Sequence, residues 1–487
     1  MAGHDLRLIP MGADTPIRDD WRVTIARSQN VCFDQDLIRR YDGRGPRYTS
    51  YPTALQFEDT FTAENYRQHA RSSNASGRPL SLYVHIPFCK TLCYYCACNK
   101  IVTRNAERVA KYMGHLNQEI DMQAALFDSS RKVEQLHFGG GTPTYLGEDE
   151  LRALIAHLRN AFTFDDGDSR EFSIEVDPRT VDSEMMGVLA ELGFNRLSLG
   201  VQDFDERVQE SINRIQSADD VDGLAWDARD NKFKSISFDL IYGLPHQTVE
   251  TFDRTLDMVL EMRPDRLAIY NYAHLPARFK GQRMIDEATI PSSETKLEIL
   301  RHTIEKLGRS EYVYIGMDHF ALPDDDLVRA QQNGTLQRNF QGYSTHGGCD
   351  LVGLGVSSIG HIGNVFAQNT PSTIEYETLL HEGELPIAKG VVVDDDDLIR
   401  ADVIKQLMCY DHLDFATFGN AHNIEFARYF ADELERLEPL ALDDLIDLTA
   451  ERIDVTPKGR LLLRSIAMIF DRHLSHGRND GRFSKAI

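Results

Sequence analysis

Seven cysteines occur in 487 residues, and Cys89, Cys93, Cys96 and Cys98 are crowded into one short stretch. The first three are spaced by three residues and then two. That spacing lets a single loop set three thiolates around one iron–sulfur cluster, for which cysteine sulfur is the usual ligand. A four-iron cubane held by three protein sulfurs keeps one iron free, and a metal with an open position can bind and activate a small molecule. Structural zinc is the plain alternative. Zinc sites pair two Cys or Cys/His arms a dozen or more residues apart, and no second arm occurs here. Cys98 leaves two readings open: a fourth ligand that closes the cluster into an electron carrier, or a residue with another duty beside it. A reach from Cys96 to Cys98 is cramped, and the chain is longer than an electron carrier needs. Cys32, Cys349 and Cys409 are scattered and read as small buried hydrophobes.

Acidic side chains outnumber basic ones, 76 against 53, for a formal charge of -23. A field of that sign repels nucleic acid and anionic membrane, so neither is an expected partner. With 42% hydrophobic residues, the chain can fill two or three domain cores. No window approaches the length of uncharged apolar sequence that spans a bilayer, and residues 1–30 lack the apolar core of a signal peptide. A soluble, cytoplasmic monomer in a reducing compartment is expected.

The cysteine loop must be held by something rigid, and the hydrophobic pattern supplies it. Short apolar runs at 81–86, 135–138, 171–176, 196–201, 235–241 and 266–272 read as strands, and segments with helical period at 106–127, 149–162, 183–192 and 249–262 lie between them. Such alternation predicts consecutive βα units around a parallel sheet. Six units rather than eight predict an incomplete (βα)6 barrel of α/β class. Catalytic groups of parallel barrels gather at the carboxyl ends of strands. There the sequence places the cysteine loop, Gly139-Gly140-Gly141-Thr142-Pro143, Glu175, Gln202, Asp239 and Ala273 in turn. Each alone could cap, pack or pair; together they read as a site.

Beyond about residue 275 the rhythm weakens. Gly316-Met317-Asp318-His319-Phe320 and Phe340-Gln341-Gly342-Tyr343-Ser344-Thr345 read as polar-aromatic loops over the barrel mouth. From about residue 395 the chain reads as mostly helical, with a hairpin at 445–455 and a last amphipathic helix, as in a small winged-helix-like domain. Asp394-Asp395-Asp396-Asp397 reads as a solvated helix N-terminus that complements the helix dipole. The expected division is an extension at 1–34 without an assigned role, a segment at 35–80 packing near the active site, the barrel and its following loops at 81–375, and a helical domain at 376–487.

The C-x3-C-x2-C loop led by an aromatic-rich strand resembles the radical S-adenosylmethionine (SAM) superfamily. Further stretches resemble one family within it, the oxygen-independent coproporphyrinogen III oxidases: Gly45-Pro46-Arg47-Tyr48-Thr49-Ser50-Tyr51-Pro52-Thr53-Ala54, the cluster loop with Cys98, His137-Phe138 before the Gly triplet, Glu175-Val176-Asp177-Pro178-Arg179, Gly200-Val201-Gln202-Asp203-Phe204, Asp239-Leu240-Ile241-Tyr242-Gly243-Leu244-Pro245 and Asn271-Tyr272-Ala273-His274-Leu275-Pro276. The likeness runs in order from about residue 35 to the C-terminus. The sequence departs from the family pattern at Ala97, Lys232, Ser237 and, most heavily, Thr345-His346-Gly347-Gly348-Cys349.

The resemblance implies a [4Fe-4S] cluster on Cys89, Cys93 and Cys96, with SAM on the open iron. It implies that Tyr83, Gly140, Glu175 and Ile359 hold this SAM. A second SAM would correspond to Tyr95, Gly141, Thr142, Gln202, Arg214, Asp239 and Ala273, and Cys98 would be required without ligating. The implied reaction turns two propionates of coproporphyrinogen III into vinyl groups, giving protoporphyrinogen IX, with an electron donor such as a flavodoxin or ferredoxin. A propionate C–H bond is beyond acid–base chemistry, so a carbon radical is needed. A substrate with four carboxylates needs local cations in so acidic a protein; Arg47, Arg214, Arg278 and Arg283 are candidates, with Gln341 in the loop nearby. Two alternatives remain: a heme-carrying chaperone of a related branch, whose members lack counterparts of Cys98 and of 45–54, and a radical enzyme for another tetrapyrrole.

Overall fold

In the computed structural model, residues 31–41 and 43–474 are described; residues 1–30 of the expected extension and 475–487 of the last domain lie outside them. Six strands, β1 (Leu80–Ile86), β2 (Val133–Gly140), β3 (Glu171–Val176), β4 (Arg196–Gln202), β5 (Ser235–Tyr242) and β6 (Arg266–Asn271), lie side by side in chain order. All five pairings between them are parallel. β1 is buried along nearly its whole length, as a strand covered on both faces must be. The covering helices follow their own period. Val249–Met262 starts in a capping box at Thr248 and buries Phe252, Leu256 and Val259, which share one helical face. Ala106–Ala124 is capped by Asn105 and buries Val109, Tyr112, Leu116 and Ile120 in the same way.

The sheet does not stop at six strands. Asp350–Leu354 adds to β1 in parallel, and Ile359–Ile362, Val365–Asn369 and Ile387–Val392 follow antiparallel. On the other edge His319–Ala321 pairs antiparallel with β6, and Val313–Gly316 pairs with it in turn. The result is one twelve-stranded sheet whose outermost strands do not meet, which leaves the barrel open.

Neither of the two expected mouth loops is a simple loop. Gly316 and His319 lie in paired strands. Gln337–Asn339 and Gly342–Ser344 form a hairpin that descends inside the barrel. At its lower end the Gln135 amide of β2 donates to Ser344 Oγ (2.9 Å), and Thr345 Oγ1 donates to Glu171 at the foot of β3 (2.9 Å). The Thr345 to Cys349 departure therefore begins at the strands' amino ends, away from the mouth.

The C-terminal domain packs helices Asp395–Tyr410, Phe415–His422 and Ala431–Leu442 on a three-stranded sheet of His412–Asp414, Arg452–Val455 and Ile446–Leu448. The expected last helix is broken into short turns, Gly459–Leu462, Leu463–Ala467 and Met468–Phe470. Leu37, Tyr48 and Tyr51 from the N-terminal segment complete this domain's core. Arg464 donates to the carbonyls of Gly45 and Pro46, and Tyr48 Oη donates to Asp471 (3.0 Å). The acidic run does cap a helix, with Asp394 accepting from the Asp397 amide, but it is not merely solvated: Asp397 is buried, and Arg472 bridges Asp394, Asp396 and Asp397 at 2.6, 2.7 and 2.8 Å. Among the described residues no helix is long and apolar enough to cross a membrane.

Glu119, fully buried in helix Ala106–Ala124, ties the flanking strands to the barrel. Its carboxyl accepts from Gly355 N (2.7 Å), Asn369 Nδ2 (2.6 Å) and Tyr376 Oη (2.5 Å). Burial outweighs those three donors and pushes it from 4.5 up to about 7. The folded state then holds a proton that the unfolded chain releases, so stability falls as pH rises from about 4.5 to about 7. Glu119→Gln is expected to flatten that decline by roughly 1–3 kcal/mol. Urea unfolding of both proteins at pH 5 and pH 8 reads it out, and equal pH dependence in the two would refute it.

Candidate active site

β1 delivers the chain into the cysteine loop, and a two-residue parallel pairing of Phe88–Cys89 with Ile101–Val102 clasps the loop at its base. Backbone contacts fix the rest: Tyr94 N donates to Ile212 O (3.0 Å), Cys96 N to Cys93 O (3.3 Å) and Asn213 Nδ2 to Leu92 O (2.7 Å). Donors converge on the sulfurs. Thr142 Oγ1 points at Cys89 Sγ (3.6 Å), while Arg179 Nη2 and Arg214 Nη1 point at Cys93 Sγ (3.4 and 3.6 Å). Lys100 Nζ holds the Cys96 carbonyl at 2.9 Å. The Cys98 thiol donates to Cys96 and draws it down to about 6, whereas burial pushes Cys89 up to about 11.

This donor set fits an iron–sulfur cluster. Three sulfurs sit in one loop with two guanidiniums and an ammonium around them, the charge balance thiolate ligands require. Among the described residues no three His, Cys, Asp or Glu side chains are gathered tightly enough to ligate a single ion. A cubane, with its ligands on separate corners, holds them farther apart.

The glycine triplet at the end of β2 is required by close approach. A Cβ on Gly139 would lie 2.8 Å from Glu175 Oε1, one on Gly140 2.7 Å from the His85 ring, and one on Gly141 2.7 Å from the Pro87 carbonyl. Gly140 also has φ +114°, a conformation open mainly to glycine. The triplet thus lets β2 touch the cysteine loop and β3 at once.

Register lines up the polar groups on the inner face. Tyr83 pairs with His137, Glu175 with Ser198, and Gly200 with Asp239. Tyr83 stacks on His137 with ring centroids 5.7 Å apart. His137 bridges Ser173 Oγ (2.5 Å) and Glu175 Oε1 (3.2 Å), and Gly140 N donates to Glu175 Oε2 (3.2 Å). Burial alone would raise Glu175; the His137 contact and the Gly140 amide overcome it and hold the carboxylate below its ordinary value. Among the described residues Asp239 receives a side-chain hydrogen bond from Ser198 Oγ alone (3.0 Å), and burial with the nearby charge of Glu175 pushes it up to about 7. Arg214 pairs with Asp177 (2.9 Å) and donates to Gly200 O (2.5 Å). A bulge between Gly200 and Gln202 leaves Gln202 at φ +70°, a conformation of the kind that concentrates at functional sites.

Two cavities meet at this face. The smaller, about 260 Å³, is lined by the four loop cysteines and by Tyr95, Gly141, Thr142, Gln202, Arg214 and Asp239. The larger, about 460 Å³, is lined by Tyr83, Ile359, Arg47 and Gln341. Gly140, Glu175 and Cys98 border both.

Residues 83–259 match the model of the Radical SAM superfamily, and residues 393–462 that of the HemN C-terminal domain. The oxygen-independent coproporphyrinogen III oxidase of Pseudomonas aeruginosa is 51% identical over 94% of this chain and 99% of its own. That of Escherichia coli K12 is 48% identical over 94% and 99%. The solved structure of E. coli coproporphyrinogen III oxidase (HemN), described as a radical SAM enzyme, superposes with a TM-score of 0.87 at 48% identity, covering 91% of this chain and all of that one. The chain belongs to the oxygen-independent coproporphyrinogen III oxidase family of radical SAM proteins. The fold read from strand alternation is that family's fold.

Not every candidate residue reaches a cavity. Ala273 is exposed, although its carbonyl and that of Tyr95 share the Gln282 amide (3.2 and 2.9 Å). Arg278 and Arg283 are exposed and border neither cavity. Arg214 serves the cysteine side rather than the larger cavity. Arg47 lines the larger cavity and pairs with Asp318. Sequence reasoning passed over two residues there, His319 and Arg338. His319 lay inside a segment already singled out, and Arg338 lies two residues before another, but nothing in either motif marked them as inward-facing.

Gly141→Ala tests the close approach. Its Cβ meets the Pro87 and Phe88 backbone, so the cysteine loop must shift. A loss of about 2 kcal/mol in stability and a fall in iron bound per chain after anaerobic reconstitution are expected. Wild-type iron content and an unchanged melting temperature would refute it.

Proposed function

We propose that this chain carries out the oxidative decarboxylation of two propionates of coproporphyrinogen III, giving the two vinyl groups of protoporphyrinogen IX in anaerobic heme biosynthesis. The observation that carries the reading is the three-cysteine loop opening onto two cavities that share Glu175, Gly140 and Cys98, in a chain of this family. When bound, the cluster and SAM supply a carbon-centred radical able to take a hydrogen atom from an unactivated C–H bond.

The chain's own residues bind, orient and exclude water. Cys89, Cys93 and Cys96 hold the cluster, with Arg179 and Arg214 balancing charge at Cys93. Glu175, kept ionised and fixed in orientation by His137 and the Gly140 amide, presents acceptor oxygens to the donors of SAM. Tyr83 stiffens His137 from the other side, and Ile359 supplies an apolar wall. The smaller cavity suits a second SAM, held by Tyr95, Gly141, Thr142, Gln202, Arg214 and Asp239; Ala273, outside that lining, contributes through its carbonyl, which shares the Gln282 amide with that of Tyr95. Cys98 acts beside the cluster rather than on it, its thiol turned toward Cys96 at the border of both cavities. Arg47 and Gln341 meet the substrate. The reading includes a cytoplasmic monomer without nucleic-acid or membrane partners, reduced by a low-potential donor such as a flavodoxin or ferredoxin, with a separate electron acceptor taking the electron left on the substrate as carbon dioxide departs.

Anaerobically reconstituted protein given SAM, reductant and coproporphyrinogen III should yield the mono- and divinyl products. Tight stoichiometric heme binding with no decarboxylation would overturn the reading. Glu175→Gln is expected to keep its iron but to need at least about tenfold more SAM, because a charged hydrogen-bond acceptor is lost. Cys98→Ser should retain wild-type iron content and cluster spectrum while losing most turnover; loss of the cluster instead would make Cys98 a ligand.

A further inference from the structure

The larger cavity has two electrically different walls. On one, Glu175 stands ionised beside Tyr83 and His137. On the other, the β6 side, Arg47 and Arg338 bring two guanidiniums together with Gln341 and His319. Asp318 matches the charge of Arg47. Among the described residues Arg338 pairs with no carboxylate. Its Nε donates to the Arg47 carbonyl (3.2 Å) and its guanidinium lies 4.7 Å over the Tyr343 ring, so the side chain is locked in place. Among the described residues its Nη1 is buried without a hydrogen-bond partner, and so are Gln341 Nε2 and His319 Nδ1. Leaving one such group unsatisfied is costly, and three around one cavity mark a place built for a ligand.

We propose that Arg338, with Gln341 and His319, receives a propionate carboxylate of the substrate on the β6 side of the larger cavity. This rests on the function proposed above and adds the residue that orients the substrate. A carboxylate is repelled by the Glu175 wall and drawn to an uncompensated guanidinium, whose fork can take both oxygens at once. The polarity of the cavity therefore sets the direction of binding: acid groups toward β6, with the carbon chain of a neighbouring propionate toward Glu175 and the cysteine loop. The hairpin fixes the spacing, since Asn339 Oδ1 accepts from Gln341 N (2.9 Å) and holds the tight turn between Arg338 and Gln341.

The test uses the full chain and two ligands that need no turnover, coproporphyrin III and its tetramethyl ester, with binding read by quenching of porphyrin fluorescence. Wild type should bind the acid at least tenfold more tightly than the ester. Arg338→Gln should lose about tenfold for the acid and nothing for the ester, while Arg338→Lys, which keeps the charge but not the fork, recovers part of the loss. In turnover the Arg338→Gln defect should fall on KM for coproporphyrinogen III, with the SAM-induced change in the cluster spectrum as in wild type. Equal affinity of wild type for acid and ester, or of Arg338→Gln and wild type for the acid, overturns the proposal. Wild type that discriminates acid from ester but makes no vinyl product would leave Arg338 as a carboxylate receptor and sink the proposed reaction instead.

Discussion

Contact between the end of β2 and the cysteine loop is the constraint on which the rest depends. Gly141 must lie against the Pro87 and Phe88 carbonyls at distances that exclude any Cβ, and Gly139 lies so close to the Glu175 carboxylate that a Cβ would push it aside. Because β1 and β2 are register-locked neighbours, that contact fixes the cysteine loop relative to β3 and its carboxylate. Glu175 in turn owes its ionised state to His137 and the Gly140 amide, both on β2. One strand thus positions the sulfur anchors, orients the acid and leaves room between them. A loop floating over the barrel could hold three sulfurs, but it could not hold them at a set place beside a charged group.

The barrel was legible because its strands alternate: β5 buries Ile236, Phe238 and Leu240 while Ser237 and Asp239 between them are only half-buried. Runs such as 235–241 and 266–272 are apolar enough to stand out, and the observed β5 and β6 differ from them by one residue at an end. The flanking strands are shorter, three to six residues, and no regular helix–strand alternation marks them. His319–Ala321 and Val313–Gly316 are three and four residues long; the first is held as a strand by the edge of β6 and the second by the first, a tertiary cause that outweighs propensity. The hairpin at 337–344 is polar and aromatic because it lines a cavity, which from sequence alone resembles a solvated loop. The acidic run at 394–397 looked solvated for the same reason: its partner Arg472 lies far along the chain.

The site divides the same way. Cysteines, glycines and strand-end acids are visible in sequence because their chemistry is tied to spacing and to strand ends. Arg338 is not, since what distinguishes it is that no carboxylate among the described residues pairs with it, a property of three-dimensional surroundings. Arg278 and Arg283 are the converse, cations of the right type on the outer surface. The N-terminal segment falls between: its motif at 45–54 is recognisable, but the carbonyl contacts with Arg464 and the Tyr48–Asp471 bond that bring Arg47 to the cavity depend on the far end of the chain.

A charge of -23 and a tetracarboxylate substrate look incompatible until distance and burial are weighed. Surface carboxylates act through water and salt, which screen them beyond roughly 10 Å. Arg338 and Arg47 act inside a cavity where screening is weak, and only one of the two is neutralised by a neighbouring acid. A single uncompensated guanidinium at contact range outweighs many screened charges farther off. The acidic exterior then has a different consequence: it discourages non-specific anions from the protein while the interior selects one whose acid groups reach β6, so that selectivity and net charge are set by different parts of the molecule.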